Sequence, residues 1–185
     1  MNVELALTIE SEEWLTRRAA QGERQAWEIL YRRHVDRVWG RLLRLVGPDP
    51  EREDLLQQIF LEVFQGLAKF RGEAAFSTYL YRVQLNVVCD HLKRRGRRAL
   101  PLPPEMYEAV EALDPSPERK AQSRERLAMV WAALDRMNPK KRIALVLAAT
   151  EGLSLEQIGT LVEASADTVA KRIEHARKEL RNATG

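Results

Sequence analysis

Apolar residues recur at three- and four-residue steps along most of the chain, with few interruptions. Over residues 23–46, Trp27, Leu30, Tyr31, Val35, Val38, Leu42 and Leu45 share one side of a predicted helix, which Gly47-Pro48-Asp49-Pro50 stops. A second helix is predicted from about residue 52 to 69, with Leu56, Ile59, Phe60, Val63, Phe64 and Leu67 as its core stripe. The stretch 70–78 breaks it. Ser77 or Thr78 can cap a third helix that continues to about residue 95. Residues 96–118 differ in kind: Gly96, Pro101, Pro103, Pro104, Pro115 and Pro117 crowd together with little apolar periodicity after Leu102. That composition predicts a linker, with at most a turn of helix around 106–113.

Helical periodicity resumes at Pro117-Glu118 and runs to about Met137. Pro139 can open the next helix, which carries Ile143, Leu145, Val146 and Leu147. The last thirty or so residues predict a helix-turn-helix. Ser154 can cap its first helix, with Gln157 able to close a capping box, and Ile158, Leu161 and Val162 give that helix its apolar face. After a short turn, Ser165 can cap the second helix. There Val169, Ile173, Ala176 and Leu180 form one narrow stripe. The opposite face carries Lys171, Glu174, His175 and Lys178, with Thr168 and Arg172 at its edge. A short helix held by one stripe, with a polar and basic outer face, fits a DNA major groove. An ordinary antiparallel helix pair with a solvated face fits the same pattern.

The third helix is the second place where chemistry shows. Leu80, Val83 and Val87, extended by Tyr81, Leu85, Val88 and Leu92, form a broad apolar face that must be buried. The remaining stripe is Tyr79, Arg82, Asn86, Asp90 and Lys93, preceded by Phe70, Arg71 and Phe76 and followed by Arg94, Arg95, Arg97 and Arg98. Aromatic rings beside cations and an amide suit unpaired bases. The competing reading puts Phe70, Phe76 and Tyr79 in the core and makes the basic run a solvated helix end.

No strand pattern and no internal repeat is visible, so the fold expected is all-α. It comprises two small helical domains joined by a Pro-rich flexible linker, the C-terminal one containing the helix-turn-helix. The boundaries expected are a tail over 1–20, a first domain over 21–95, a linker over 96–122 and a second domain over 123–185. The first twenty residues read as a mobile tail or as a short extra helix around residues 12–20.

Composition narrows the function. The 185 residues carry a formal net charge of +3, which is mild, but its distribution is uneven: residues 69–98 hold eight basic and two acidic residues. A concentrated basic segment suits a polyanionic partner. Cys89 is the only cysteine, so there is no disulfide framework, and its expected role is packing. The acidic N-terminus lacks the basic and apolar regions of a secretory signal, and no apolar run reaches membrane-spanning length. A cytoplasmic protein without membrane insertion is expected. No nucleophile–base pair and no metal-ligand cluster stands out, so no catalytic residue, metal or cofactor is expected.

Taken in order, these motifs resemble the bacterial RNA polymerase sigma factors of the extracytoplasmic-function (ECF) type, over residues from about 21 to 182. Asp54-Leu55-Leu56-Gln57 with Phe60 resembles the family's signature in the helix that docks on the polymerase clamp. Phe70-Arg71-Gly72, then Thr78-Tyr79-Leu80-Tyr81-Arg82, Asn86 and Asp90, resemble the promoter-melting, −10-reading segment. Asp114-Pro115-Ser116-Pro117-Glu118 resembles the end of the family's linker. Glu151-Gly152-Leu153-Ser154 with Ile158, then Thr168-Val169, Arg172, Ala176-Arg177 and Leu180, resembles the −35-reading domain.

The resemblance implies a transcription-initiation factor that binds core RNA polymerase and promoter DNA, with an anti-sigma factor as a further partner. It implies polymerase binding through Asp54, Leu55, Gln57, Gln58 and Phe60. It implies −10 contacts from Phe70, Arg71, Phe76, Ser77, Tyr79, Arg82, Asn86, Asp90, Lys93 and Arg94, and −35 contacts from Thr168, Lys171, Arg172, His175 and Lys178. Three positions depart from the family pattern: Tyr79 stands for a usual Trp, Asp167 for a usual Gly, and His175 for a common Arg. Two other readings are a stand-alone helix-turn-helix regulator, which leaves residues 21–95 unexplained, and a sigma-like protein-interaction module.

Overall fold

The computed structural model of the protein describes residues 10–70, 74–96, 102, 106–107 and 116–184. Among these, all regular secondary structure is helical. The helices are α1 (Glu12–Ala20), α2 (Arg24–Val46), α3 (Arg52–Leu67), α4 (Phe76–Arg95), α5 (Pro117–Arg136), α6 (Pro139–Thr150), α7 (Leu155–Val162) and α8 (Ala166–Thr184). Most of the expected linker lies outside the described residues. Its last part, from Pro117, is already the first turns of α5.

Chain contacts divide the molecule into two compact units. The first comprises residues up to Leu43 together with Glu51–Val88; the second comprises Arg44–Pro50 and the chain from Cys89 onward. Helices α2 and α4 each contribute most of their length to the first unit and their last turns to the second.

The first unit holds a helix that the sequence left open. Ser11 caps α1 by accepting the Trp14 N–H at 3.2 Å, acidic Glu12 and Glu13 stand at its positive end, and Arg17 and Arg18 stand at its negative end. Gly22, with φ of +87°, lets the chain reverse into α2. Residues 12–20 are therefore a packed element with Leu15 fully buried, not a tail. Around it Leu30, Val38, Leu42, Ile59, Val63, Leu67, Leu80 and Val88 close the core. Gln84, polar yet fully buried, donates its side-chain amide to the Val38 carbonyl at 3.0 Å. Arg41 and Arg52 lay their guanidinium groups over the Tyr81 and Trp39 rings, each at 3.8 Å from the ring centre.

The second unit contains a buried charge network. The Asp49 carboxylate lies 2.7 Å from His91 Nε2 and accepts from Arg95 Nη1 at 2.8 Å. Arg95 also donates to Asp135, which accepts from Arg142 Nη1 at 2.7 Å, while Arg142 Nε donates to the Leu45 carbonyl at 2.8 Å. These five side chains are nearly inaccessible to solvent, so each charge depends on its neighbours for compensation. Desolvation lowers the Arg142 pKa from its ordinary value, and hydrogen bonding to Asp135 opposes that shift. Gly47, at φ +78°, is required there twice over, because a Cβ would stand 2.8 Å from the Trp131 ring.

The C-terminal helices start where short-range capping dictates. Ser116 and Asn138 cap α5 and α6, and a proline occupies the first turn of each. At α7 the capping box is complete: Ser154 Oγ accepts the Gln157 N–H at 3.2 Å and Gln157 Oε1 accepts the Ser154 N–H at 2.8 Å. The turn into α8 is tight. Glu163 adopts a left-handed conformation, and a Cβ on Gly159 would meet the Ala164 carbonyl oxygen at 2.5 Å. Ser165 then accepts the Thr168 N–H at 3.2 Å.

Candidate nucleic-acid interface

In the second unit, Val169, Ile173 and Ala176 of α8 are buried, with Leu180 half-buried, so the apolar stripe faces the protein. Lys171, His175 and Lys178 are exposed on the other side, and Arg172 and Thr168 are half-buried at its edge. Thr168 Oγ1 lies 2.9 Å from Ser165 Oγ, a bond that ties it to the cap. Asp167 is exposed in the first turn, where it favours the helix and opposes an approaching phosphate. The exposed face therefore carries Lys171 and Lys178 with Glu174 and His175 between them, and is acidic at its N-terminal end.

Helix α4 carries the other predicted surface. Leu80, Tyr81, Leu85, Val87, Val88 and Leu92 are buried, and Asn86, Asp90, Lys93 and Arg94 are exposed. Arg82 is half-buried. Lys93 Nζ donates to Asp90 at 2.7 Å, and that hydrogen bond raises the Lys93 pKa. Tyr79 is half-buried and lies against Phe70, with ring centres 4.9 Å apart. Desolvation, then the nearby Glu62 charge, raises its pKa. Arg71 lies outside the described residues.

Five expectations need correction. Phe76 is 3% exposed and packs on the His34 ring at 5.3 Å, so it belongs to the core and offers no face to a base. Leu55 and Phe60 are likewise buried; they shape α3 instead of contacting a partner. Conversely Phe64, placed in the α3 core stripe by periodicity, is 46% exposed and rests on the Trp27 ring at 5.1 Å. Neither Ser77 nor Thr78 caps α4, since that helix begins at Phe76. Arg95, counted with the basic run, is consumed by Asp49 and Asp135.

The outward face of α3 is Asp54, Gln57, Gln58, Leu61 and Gln65, all exposed. At helical spacing these span an arc of ~100°. Gln58 donates to Glu62 at 3.0 Å. Leu61, at 56% the most exposed large apolar residue of the helix, was missed by periodicity because it lies outside the stripe. Among the described residues no cluster of His, Cys, Asp and Glu is arranged to hold a metal ion. No described helix is long and apolar enough to cross a membrane.

The described residues thus form an all-helical fold with a recognition-type helix at its end and a second surface carrying aromatic and basic residues near its middle. Comparison with known proteins gives the family. Residues 30–98 match Sigma-70 region 2, and residues 127–180 match Sigma-70 region 4. The chain is 34% identical over 185 residues to the RNA polymerase sigma-H factor of Pseudomonas aeruginosa, covering 94% of each chain. It is 37% identical over 162 residues to the ECF RNA polymerase sigma factor SigE of Mycolicibacterium smegmatis, with 88% of this chain matching and 63% of that longer protein spanned. The chain belongs to the ECF family of RNA polymerase sigma factors and directs promoter-specific transcription. The fold agrees: a solved structure of CnrH in complex with the cytosolic domain of CnrY superimposes with a TM-score of 0.62 at 24% identity, over 94% of this chain and 96% of the other.

Proposed function

We propose that the three surfaces divide the work of initiation. The outward face of α3, Asp54, Gln57, Gln58 and Leu61, docks on core polymerase. The half-buried Tyr79 and Phe70 with Arg82, Asn86, Asp90, Lys93 and Arg94 along α4 engage the opened −10 element, where rings and amides meet unpaired bases. Lys171, Arg172, His175 and Lys178 of α8, with Thr168, engage the −35 element as a major-groove helix does. The chain contributes binding and positioning while the polymerase carries out bond formation. It works in the cytoplasm, where its polymerase is.

The observation that carries this reading is the separation of faces on α4 and α8. In each helix the apolar stripe is buried, while Asn86, Asp90, Lys93 and Arg94 on α4 and Lys171, His175 and Lys178 on α8 are exposed. A stand-alone regulator would use α8 and have no need of the α4 surface. The solved structures of CnrH with CnrY, and of RpoE of Bartonella quintana with the anti-sigma factor NepR, support an anti-sigma partner for this chain as well. Run-off transcription with core polymerase, with and without this chain, tests the proposal. Promoter-dependent transcripts only in its presence are expected; tight specific duplex binding by the free chain without transcription would favour the stand-alone regulator.

A further inference from the structure

Among the described residues, helix α4 has no capping side chain next to its start. Its first backbone acceptor is the carbonyl of Ala75, which receives the Tyr79 N–H at 3.1 Å, so position 75 is the N-cap and its methyl side chain offers no acceptor. The N–H of Ser77 is one of the donors left over. It is satisfied from 65 residues away: Glu12 Oε1, in the first turn of α1, accepts it at 3.1 Å. The other oxygen of the same carboxylate lies 2.9 Å from His34 Nε2, and His34, nearly inaccessible, packs against Phe76, the first residue of α4. Glu12 thus joins α1, α2 and the start of α4 through one side chain. It also borders a hollow of about 760 Å³ that Arg17, Phe70, Ala74 and Ala75 share.

We propose that Glu12 is a positioning residue for −10 reading, holding the start of α4 and, through it, Phe70 and Tyr79. This rests on the assignment of the −10 surface made above. Glu12 lies outside the matched family segment, which begins at residue 30. The carboxylate acts as a helix cap supplied in trans, and its negative charge sits at the positive end of the helix dipole. Without it the first turn of α4 loses its acceptor and frays, and the Tyr79 ring loses its fixed seat. The chemistry read by the −10 surface is unchanged, but the surface is assembled only part of the time.

The test uses the full chain with core polymerase on a duplex promoter. Glu12→Ala is expected to lower open-complex formation about fivefold, the effect of a lost helix cap. The loss is expected to be the same factor on the best −10 sequence and on its single-base variants, because a surface assembled part of the time binds every sequence less by the same fraction, while affinity for core polymerase stays at the parental value. Glu12→Gln keeps an amide oxygen for the Ser77 N–H and is expected to open promoters as the parent does. Ala75→Asp supplies a local acceptor, so Glu12→Ala with Ala75→Asp is expected to recover opening. If Glu12→Ala does not fold, that double variant is read alone: parental opening supports the proposal and a fivefold loss overturns it. Parental opening in Glu12→Ala overturns the proposal even if the melting temperature falls, and so does a loss confined to particular −10 sequences. A parent chain that opens no promoter with core polymerase overturns the −10 assignment and this proposal together.

Discussion

The hydroxyl of Tyr79 lies over Gly66, so close that any Cβ at position 66 would overlap it. The missing side chain on α3 is what lets the ring lie down between α3 and α4, against Phe70. Gly66→Ala is expected to lift Tyr79 from this seat, although alanine is the better helix former by about 1 kcal/mol. Removing the hydroxyl with Tyr79→Phe relieves the nearest overlap, so the double variant is expected to be more stable than Gly66→Ala alone. Thermal unfolding of the four proteins closes the cycle; additive effects would show that the two positions do not meet.

His34 makes stability depend on pH. Burial lowers its pKa below the ordinary 6.5, with the Glu12 charge and hydrogen bond partly opposing. The unfolded chain therefore takes up the proton first as pH falls. Stability from this group is fully present above about 6.5 and is lost as pH falls through the folded-state value. The melting temperature is expected to decline from pH 7.5 to pH 5, and His34→Gln is expected to flatten that decline. An unchanged slope in the variant would assign the pH dependence to other groups.

Arg142 holds the buried network of the second unit together, with Asp135 and the Leu45 carbonyl as its partners. Removing one member of a buried ion network leaves the others uncompensated, at a cost of about 3–5 kcal/mol. Arg142→Ala is expected to lower stability by that order in denaturant unfolding. A change under 1 kcal/mol, roughly the value of an exposed pair, would mean that water reaches the network.

The α8 face separates affinity from specificity. Lys178 is exposed near the end of the helix, where a phosphate contact is expected, so Lys178→Ala should weaken binding to all −35 variants alike. It should also reduce the salt dependence by about one unit of slope. Arg172→Ala should cost about 1–3 kcal/mol more on the preferred −35 sequence than on altered ones. Asp167→Gly removes a charge that opposes phosphate and is expected to strengthen binding overall. Binding isotherms at several salt concentrations distinguish these outcomes; equal losses for Lys178→Ala and Arg172→Ala on every sequence would remove the specificity role from Arg172.

On α3, Asp54→Ala combined with Gln57→Ala is expected to weaken core-polymerase binding while circular dichroism and melting temperature barely change, because both side chains are exposed. Leu61→Ser is expected to do the same, since more than half of its surface is exposed. Full polymerase affinity in both variants would move the docking surface elsewhere.

The starts of the C-terminal helices were legible in the sequence because they are set locally. Ser154 with Gln157, Ser165 before Thr168, and Pro139 in the first turn act within three residues, and the structure has each in place. So too was the buried stripe Val169–Ile173–Ala176, since a short helix has only one way to hide a narrow apolar row. Tertiary structure decided what local spacing cannot express. Phe64 and Phe76 are both apolar residues at helix-compatible positions, yet one is exposed and the other buried, because periodicity groups residues by face without saying how far a neighbouring helix covers that face. Arg95 reads as one more cation in a basic run until Asp49 and Asp135 converge on it. The cap of α4 has no signature near residue 76, because its acceptor, Glu12, is brought there only when α1 packs against the start of that helix.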